Sequence, residues 1–561
     1  SHGCRPIVER KLGRKERKLV YGGVAGRATR LVRTSAAQRR AFVLGDDEVL
    51  TLARWATAIE RHYGKPMDME WAKDGRTGEL YVLQARPETV QARRASGQLE
   101  TYRLGRAGAR LLTGAAVGEA IAAGPACVLR SAAEIGRFVP GSVLVTSITD
   151  PDWVPVMKLA AAVVTDHGGR TSHAAIVSRE LGLPAIVGTG KATAVLHDGD
   201  TVTVSCAEGD TGVVYEGRAE FERQALDTTA IPRTRTQVLL NVANPTAAFR
   251  WWRLPADGVG LARIEFIISH DIKAHPLALL RPEAVASPRE RAALAKLTRG
   301  WPSPQEYFVA KLASGIARLA AAHYPRPVIV RTSDFKTNEY ARLLGGAAFE
   351  PHEENPMLGW RGASRYYTDY RDGFALECRA LKRVREELGL TNVVVMIPFC
   401  RTPEEADAVL AVMADNGLKR GERGLEVYVM CEIPSNVVLA EQFAARFDGF
   451  SIGSNDLTQL VLGVDRDSSR LKGLFDESHE AVTRLIRSVI DAAHRAGRKV
   501  SLCGQAPSDK PEFVRFLVDA GIDSVSVTAD SFVRVKANVA AAEAALGARQ
   551  PQSLRSQVTR A

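Results

Sequence analysis

Two histidines, His167 and His173, lie six residues apart in the stretch TDHGGRTSHAAIVSRELGLPAIVG (165–188). A histidine that accepts a phosphoryl group needs a neutral ring nitrogen within reach of the donor and partners that neutralise the incoming charge. GGRTSH supplies such partners: the glycines admit an anion close to the backbone, Thr171 and Ser172 offer hydroxyls, and Arg170 adds charge. Apolar spacing from Ser172 to Leu181 predicts a helix with His173 in its first turn. There the free N–H groups and the helix dipole favour a phosphate and a neutral, nucleophilic imidazole. His167 precedes the glycines, off the helix, and is expected in a loop or supporting role. A histidine that caps the helix without chemistry is the competing reading of His173.

A second constellation closes a series of apolar runs. Arg263, Arg331, Glu432, Asn455, Asp456 and Cys503 each end or follow such a run, and Arg361 lies in NPMLGWRG (355–362). Guanidinium forks match carboxylate and phosphate geometry. A Glu and an Asp from neighbouring strands can share one Mg²⁺, which keeps its other positions for substrate oxygens and water. A cysteine beside cations is expected to titrate close enough to neutrality for proton transfer. Rim salt bridges are the plainer reading of the charged residues, and a buried structural thiol that of Cys503.

The elements that would position these residues are legible. Eight strand-like runs alternate with amphipathic helical segments over 236–545: TQVLLNVA, GVGLAR, PVIVRTSD, VVVMIPF, VYVMCEI, GFSIGSND, KVSLCGQ and SVSVTA. That pattern predicts a (β/α)₈ TIM barrel, whose active site belongs at the C-terminal ends of the strands. NPMLGWRG is read as part of the connection after the third strand, since one Pro and two Gly suit a loop. Residues 116–217 place short β-type runs around the one helix, a compact α/β domain. Within 1–90, MDMEWAK and ELYVLQARP read as a hairpin across DGRTG. Polar stretches at 91–115 and 218–235 read as linkers, and 546–561 as a tail.

The 561 residues suggest roughly three or four domains. With 45% hydrophobic and 25% charged residues the chain reads as globular, and no run of 18 uncharged apolar residues predicts a membrane span. Seven cysteines without a CxxC pair argue for a reducing compartment, so a cytoplasmic location is expected. The net charge of +11 is scattered, and only RPIVERKLGRKERKLV is locally basic, so no nucleic-acid partner is expected.

With these residues in hand, GGRTSHAAIVSRELGLPAIVG resembles the phosphohistidine signature of the PEP-utilising enzyme family. GVGLARIEFII, MIPFCRTPEEA, GFSIGSNDLTQL and SLCGQAPSD resemble its PEP/pyruvate barrel, in the family order. The resemblance covers nearly the whole chain and is nearest to members that make phosphoenolpyruvate from pyruvate, ATP and water, giving AMP and phosphate. It implies that His173 is phosphorylated and that Cys503 exchanges a proton at the pyruvate methyl. It further implies that Arg263, Arg331 and Arg361 hold carboxylate and phosphoryl groups, that Glu432 and Asp456 bind Mg²⁺, and that Gly453, Ser454 and Asn455 line the pocket. A small histidine domain between two linkers would swing between an ATP site and a pyruvate site, since one fixed histidine cannot touch both. The resemblance also implies a homodimer formed through the barrel.

The family's ATP-grasp domain is much longer than the 90 residues that precede the first linker. Glu70, Gln84 and Arg86 match its contacts to Mg²⁺ and ATP phosphates, and no glycine-rich phosphate loop precedes them. The chain is therefore expected to be N-terminally truncated and competent only for the PEP/pyruvate half-reaction. Rival readings are the PEP–protein phosphotransferases, which lack an ATP-grasp domain and carry a helical insert, and the pyruvate, phosphate dikinases, for which GEHGG rather than CGQAPSD is expected after the strand-end cysteine. A catalytically idle binding module is the reading from outside enzymology.

Overall fold

The computed structural model describes residues 6–549 except 9, 11, 14, 22–28, 75–76, 88–97, 119, 170–171, 209–210, 228–230, 253, 466–469 and 530. Two compact units divide the chain, one over Pro6–Leu226 and one beginning at Asp227.

The second unit is built on eight parallel strands: Gln237–Val242, Val259–Arg263, Val328–Arg331, Val393–Ile397, Val427–Cys431, Gly449–Ile452, Lys499–Cys503 and Ser524–Val527. Each pairs with the next, and the eighth returns to the first through Gln237↔Ser524, so the sheet closes. These are the eight runs read from the sequence. Val393–Ile397 and Val427–Cys431 are buried at every position, as strands covered on both faces must be. Leu261, Ile329, Val394, Met396, Tyr428, Met430 and Cys503 pack together as one cluster of strand residues. The returning helices are amphipathic: Glu480–Arg495 buries Val482, Ile486, Val489, Ile490 and Ala493, a stripe at helical spacing. Several start sharply. Ser303 and Thr402 accept the N–H of Glu306 and Glu405, and a proline follows each cap. NPMLGWRG is irregular backbone between the third strand and the helix Arg371–Lys382.

In the first unit seven strands close a smaller barrel, in the order 185–187, 110–117, 211–216, 201–205, 121–128, 143–146 and 162–165. Alternate residues feed two cores: Val143 and Val145 enter one, while Leu144 enters the other together with Ala174, Ala175 and Val177 of the helix His173–Leu181. The hairpin is present as Met67–Lys73 against Leu80–Pro87. The two stretches expected to be linkers differ from that reading. Gln98–Leu104 and Phe221–Asp227 are strands that pair with each other, and Arg110–Val117 is part of the small barrel. A two-stranded ribbon needs no buried face, so its composition stays polar and reads as linker. Tyr102 and Phe221 face each other across it, with ring centroids 6.4 Å apart. Among the described residues no helix is long and apolar enough to cross a membrane.

Candidate active site

His173 opens the helix His173–Leu181, half-buried, and its Nδ1 lies 3.0 Å from Thr149 Oγ1. The approach is a tight loop. Gly168 has φ +118°, and a Cβ there would meet Ser172 Oγ at 2.8 Å; a Cβ on Gly188 would meet the Gly168 carbonyl at 2.7 Å. Asp166, buried below, accepts from Thr193 N (3.0 Å) and Oγ1 (2.6 Å) and anchors the loop's first residues. Ser172 Oγ is buried and has no partner among the described residues. His167 is exposed and held by its backbone, its N–H on the Ser147 carbonyl at 2.9 Å. The two histidines thus occupy different settings. Arg170 and Thr171 lie outside the described residues.

At the C-terminal mouth of the eight-stranded barrel is a cavity of about 370 Å³ lined by Arg263, Arg331, Arg361, Glu432, Gly453, Asn455, Asp456 and Cys503. Residues spread over 240 positions meet here because each ends a strand, or lies on the loop after one, in a closed parallel barrel. The cavity also takes in Glu265, Asp334, Lys336 and Met430, which the sequence reading did not single out.

These unforeseen residues organise the arginines. Asp334 takes Arg361 in a two-pronged pair, Nε to Oδ1 at 3.0 Å and Nη2 to Oδ2 at 2.6 Å. Arg361 Nη2 also reaches Asp456 Oδ2 at 3.2 Å, and its guanidinium lies 4.1 Å over the Phe399 ring. Glu265 Oε1 accepts from Arg331 Nη2 at 2.7 Å and from the Asp334 N–H at 2.8 Å. Arg263 sits exposed at the rim and makes no side-chain hydrogen bond or ion pair among the described residues. Asp334 was visible in RTSD directly after a strand, and Glu265 in ARIEF; only their pairing with arginines was not.

Phe399 has φ +47°, a left-handed backbone that a bulky residue seldom adopts. That conformation lets its N–H donate to Glu432 Oε1 at 2.7 Å while its ring supports Arg361. Gly362 makes room: a Cβ there would meet Phe399 Cβ at 2.5 Å.

Burial pushes the Glu432 carboxyl well up, and the neighbouring Asp456 and Asp334 push it further. Arg361 and Arg331 pull it the other way without offsetting burial and the two acids. Burial alone would raise Asp334 too, but Arg361 and Arg331 beside it hold it below the usual carboxylate range.

Two expectations need correction. The Cys503 thiol is not drawn toward neutrality: burial raises it, and the hydrogen bond from Ser451 Oγ (3.4 Å) and the charges of Arg331 and Arg263 do not offset that. Ser454 does not line the cavity. Its hydroxyl is given to the buried Glu477, whose other oxygen accepts the Ala506 N–H at 3.0 Å, so it ties two loops together. Glu70, Gln84 and Arg86 share one exposed hairpin face, Glu70 opposite Gln84, with Arg86 paired to Asp68 at 3.0 Å.

Comparison with known proteins bears on the whole chain. Residues 218–544 match the PEP-binding domain of PEP-utilising enzymes, 138–209 their mobile domain, and 2–104 the AMP/ATP-binding domain of pyruvate phosphate dikinase. The chain belongs to the PEP-utilising enzyme family. It is 54% identical to the phosphoenolpyruvate synthase of Synechocystis sp. over 98% of its length and 68% of that protein's. It is 51% identical to the synthase of Aquifex aeolicus over 97% of this chain and 70% of that one, and 52% identical to that of Escherichia coli over 94% and 67%. For this member of the PEP-utilising family, the match over 2–104 also removes the ground for confining the chain to the PEP/pyruvate half-reaction.

Proposed function

We propose that the chain makes phosphoenolpyruvate from pyruvate, ATP and water, the activity implied by the name its relatives carry, with His173 as the phosphoryl carrier. One observation carries this reading: three arginines, a Glu–Asp pair and a thiol converge on one barrel-mouth cavity. Arg263, unpaired among the described residues, supplies a guanidinium for the substrate's carboxylate or phosphoryl group, and Arg331 and Arg361 face the transferring phosphoryl. Asn455 and the Gly453 backbone line the remaining wall.

The donor set fits Mg²⁺. Glu432 and Asp456 are two hard carboxylate donors on one cavity, and Asp456 raises the Glu432 carboxyl further, as two acids that could share a cation do. Glu432 and Asp456 would hold the ion, with substrate oxygens and water completing its shell. It would stabilise the negative charge that develops on the enolate oxygen.

In the direction from PEP, the bond from phosphorus to the enol oxygen breaks as a bond from phosphorus to a ring nitrogen of His173 forms. In the tautomer whose Nδ1–H donates to Thr149 Oγ1, Nε2 presents the lone pair. The enolate left behind takes a proton at C3 from the Cys503 thiol, whose raised pKa keeps that proton in place at neutral pH. Pyruvate phosphorylation runs the same steps backwards. Glu70, Gln84 and Arg86 would contact ATP phosphates and their Mg²⁺, and the small barrel would swing between the two sites. The regions 1–90, 116–217 and 236–545 carry these three tasks, and the barrel is the expected homodimer contact.

Incubation with PEP radiolabelled in the phosphoryl group, plus Mg²⁺, tests the assignment. The label should appear on His173 with release of one pyruvate per label. Labelling of His173→Ala to the parental extent would refute it.

A further inference from the structure

One carboxylate that this chemistry leaves unused is buried beneath the barrel mouth. Glu377 lies on the apolar face of the helix Arg371–Lys382 with Phe374, Cys378 and Leu381, fully removed from solvent. A buried acid without an ion pair is costly, so it must satisfy its oxygens some other way. Oε2 accepts the backbone N–H of Ser333 at 3.1 Å, and Oε1 accepts the Ser333 hydroxyl and the Tyr370 hydroxyl, the latter at 3.1 Å. Tyr340 OH lies 2.6 Å from Ser333 Oγ and donates to Tyr370 at 2.9 Å, while Tyr366 OH donates to the Ser333 carbonyl at 2.7 Å.

Every polar group of Ser333 is therefore engaged: N–H, carbonyl and hydroxyl. Ser333 stands in the turn that leaves the third barrel strand, between Arg331 and Asp334. Arg331 reaches Glu265 on one side, and Asp334 takes the fork of Arg361 on the other. A rotation at Ser333 would displace both.

We propose that Glu377 is a positioning residue for the cavity's arginines, acting through Ser333 on Arg331 and Asp334, and through Asp334 on Arg361. This rests on the reading of the cavity as a PEP/pyruvate site. General packing of the polar cluster is the competing account. Tyr370 separates the two, because its hydroxyl bonds Glu377 and Tyr340 and makes no bond to Ser333.

The test is the rate of His173 labelling by radiolabelled PEP as a function of PEP concentration, in the full chain, with urea unfolding of the same variants as an independent readout of the fold. Glu377→Gln and Ser333→Ala should each raise the half-saturating PEP concentration about tenfold, the scale of one buried hydrogen bond lost. Tyr370→Phe, which removes a donor to Glu377 but leaves both bonds between Glu377 and Ser333 in place, should stay within about threefold of the parent. The double variant should be no worse than the weaker single one, since both break one linkage. Unchanged half-saturation in folded Glu377→Gln and Ser333→Ala, or an equal rise in Tyr370→Phe, overturns the positioning role and leaves the cavity assignment standing. A parent chain that neither binds PEP nor labels overturns both. Should Glu377→Gln not fold, Ser333→Ala decides alone.

Discussion

Asp334 and Arg361 form a two-pronged pair, at 3.0 and 2.6 Å, with both side chains almost wholly removed from solvent. Arg331 stands 3.3 Å from the same carboxylate. Breaking a buried pair costs more than forming it gains, because the survivor keeps an uncompensated charge. Asp334→Asn preserves shape and removes that charge for two guanidiniums. It should lower the free energy of unfolding by about 3 kcal/mol, read by urea denaturation. PEP saturation should vanish with it. Parental stability in this variant would show that the pair is not an anchor of the cavity.

The two histidines should separate cleanly. His173→Ala should abolish PEP-dependent labelling, whereas His167→Ala, an exposed loop residue, should label at the parental rate. Thr149→Val should slow labelling about tenfold by releasing the ring from its hydrogen bond. Loss of label in His167→Ala would reassign the carrier.

Cys503 is held as a thiol by burial. Cys503→Ala should therefore eliminate proton exchange at the pyruvate methyl while leaving PEP-dependent labelling of His173 within about tenfold, since that bond change precedes protonation. Alkylation of Cys503 should be slow at pH 7 and accelerate only well above it. Retained exchange in the alanine variant would remove the assignment.

Gly453 faces Glu432, and a Cβ there would lie 3.0 Å from Glu432 Cβ and 3.1 Å from Oε2. Gly453→Ala should displace the carboxylate and raise the Mg²⁺ concentration required for labelling about tenfold, as losses around metal ligands do. An unchanged Mg²⁺ requirement would argue against Glu432 as a ligand.

His323 closes the helix Pro304–His323 on its buried side, with Nε2 unpartnered among the described residues, and burial lowers its pKa to about 4. The unfolded chain binds this proton more readily, so the stability contribution is full above about pH 6.5 and is lost as pH falls toward 4. The loss should be about 2 kcal/mol between those limits. His323→Phe should flatten that part of the stability profile, measured by urea titrations from pH 4 to 7; an unaltered profile would place the acid sensitivity elsewhere.

Much of the chain was legible without coordinates. The eight barrel strands, the hairpin and the histidine helix each announce themselves through local periodicity, because a strand covered on both faces must be apolar throughout and a surface helix must carry a stripe. The barrel then dictates that residues at strand ends share one mouth, which is why Arg263, Arg331, Glu432, Asp456 and Cys503 could be grouped from sequence. Local pattern failed where pairing is long-range and weakly apolar: the ribbon of Gln98–Leu104 with Phe221–Asp227 reads as two polar linkers until both strands are in view.

Charge balance and proton affinity were decided by tertiary structure alone. The thiol of Cys503 follows its burial more than its cationic neighbours, and Ser454 spends its hydroxyl on Glu477. Glu377 sits on an ordinary helical stripe and shows its purpose only when the third strand brings Ser333 against it. Residue types and spacing determined which chemistry the chain can carry. Which group holds which, and in what protonation state, depends on desolvation and on partners far away in sequence, and those exist only once the barrels close.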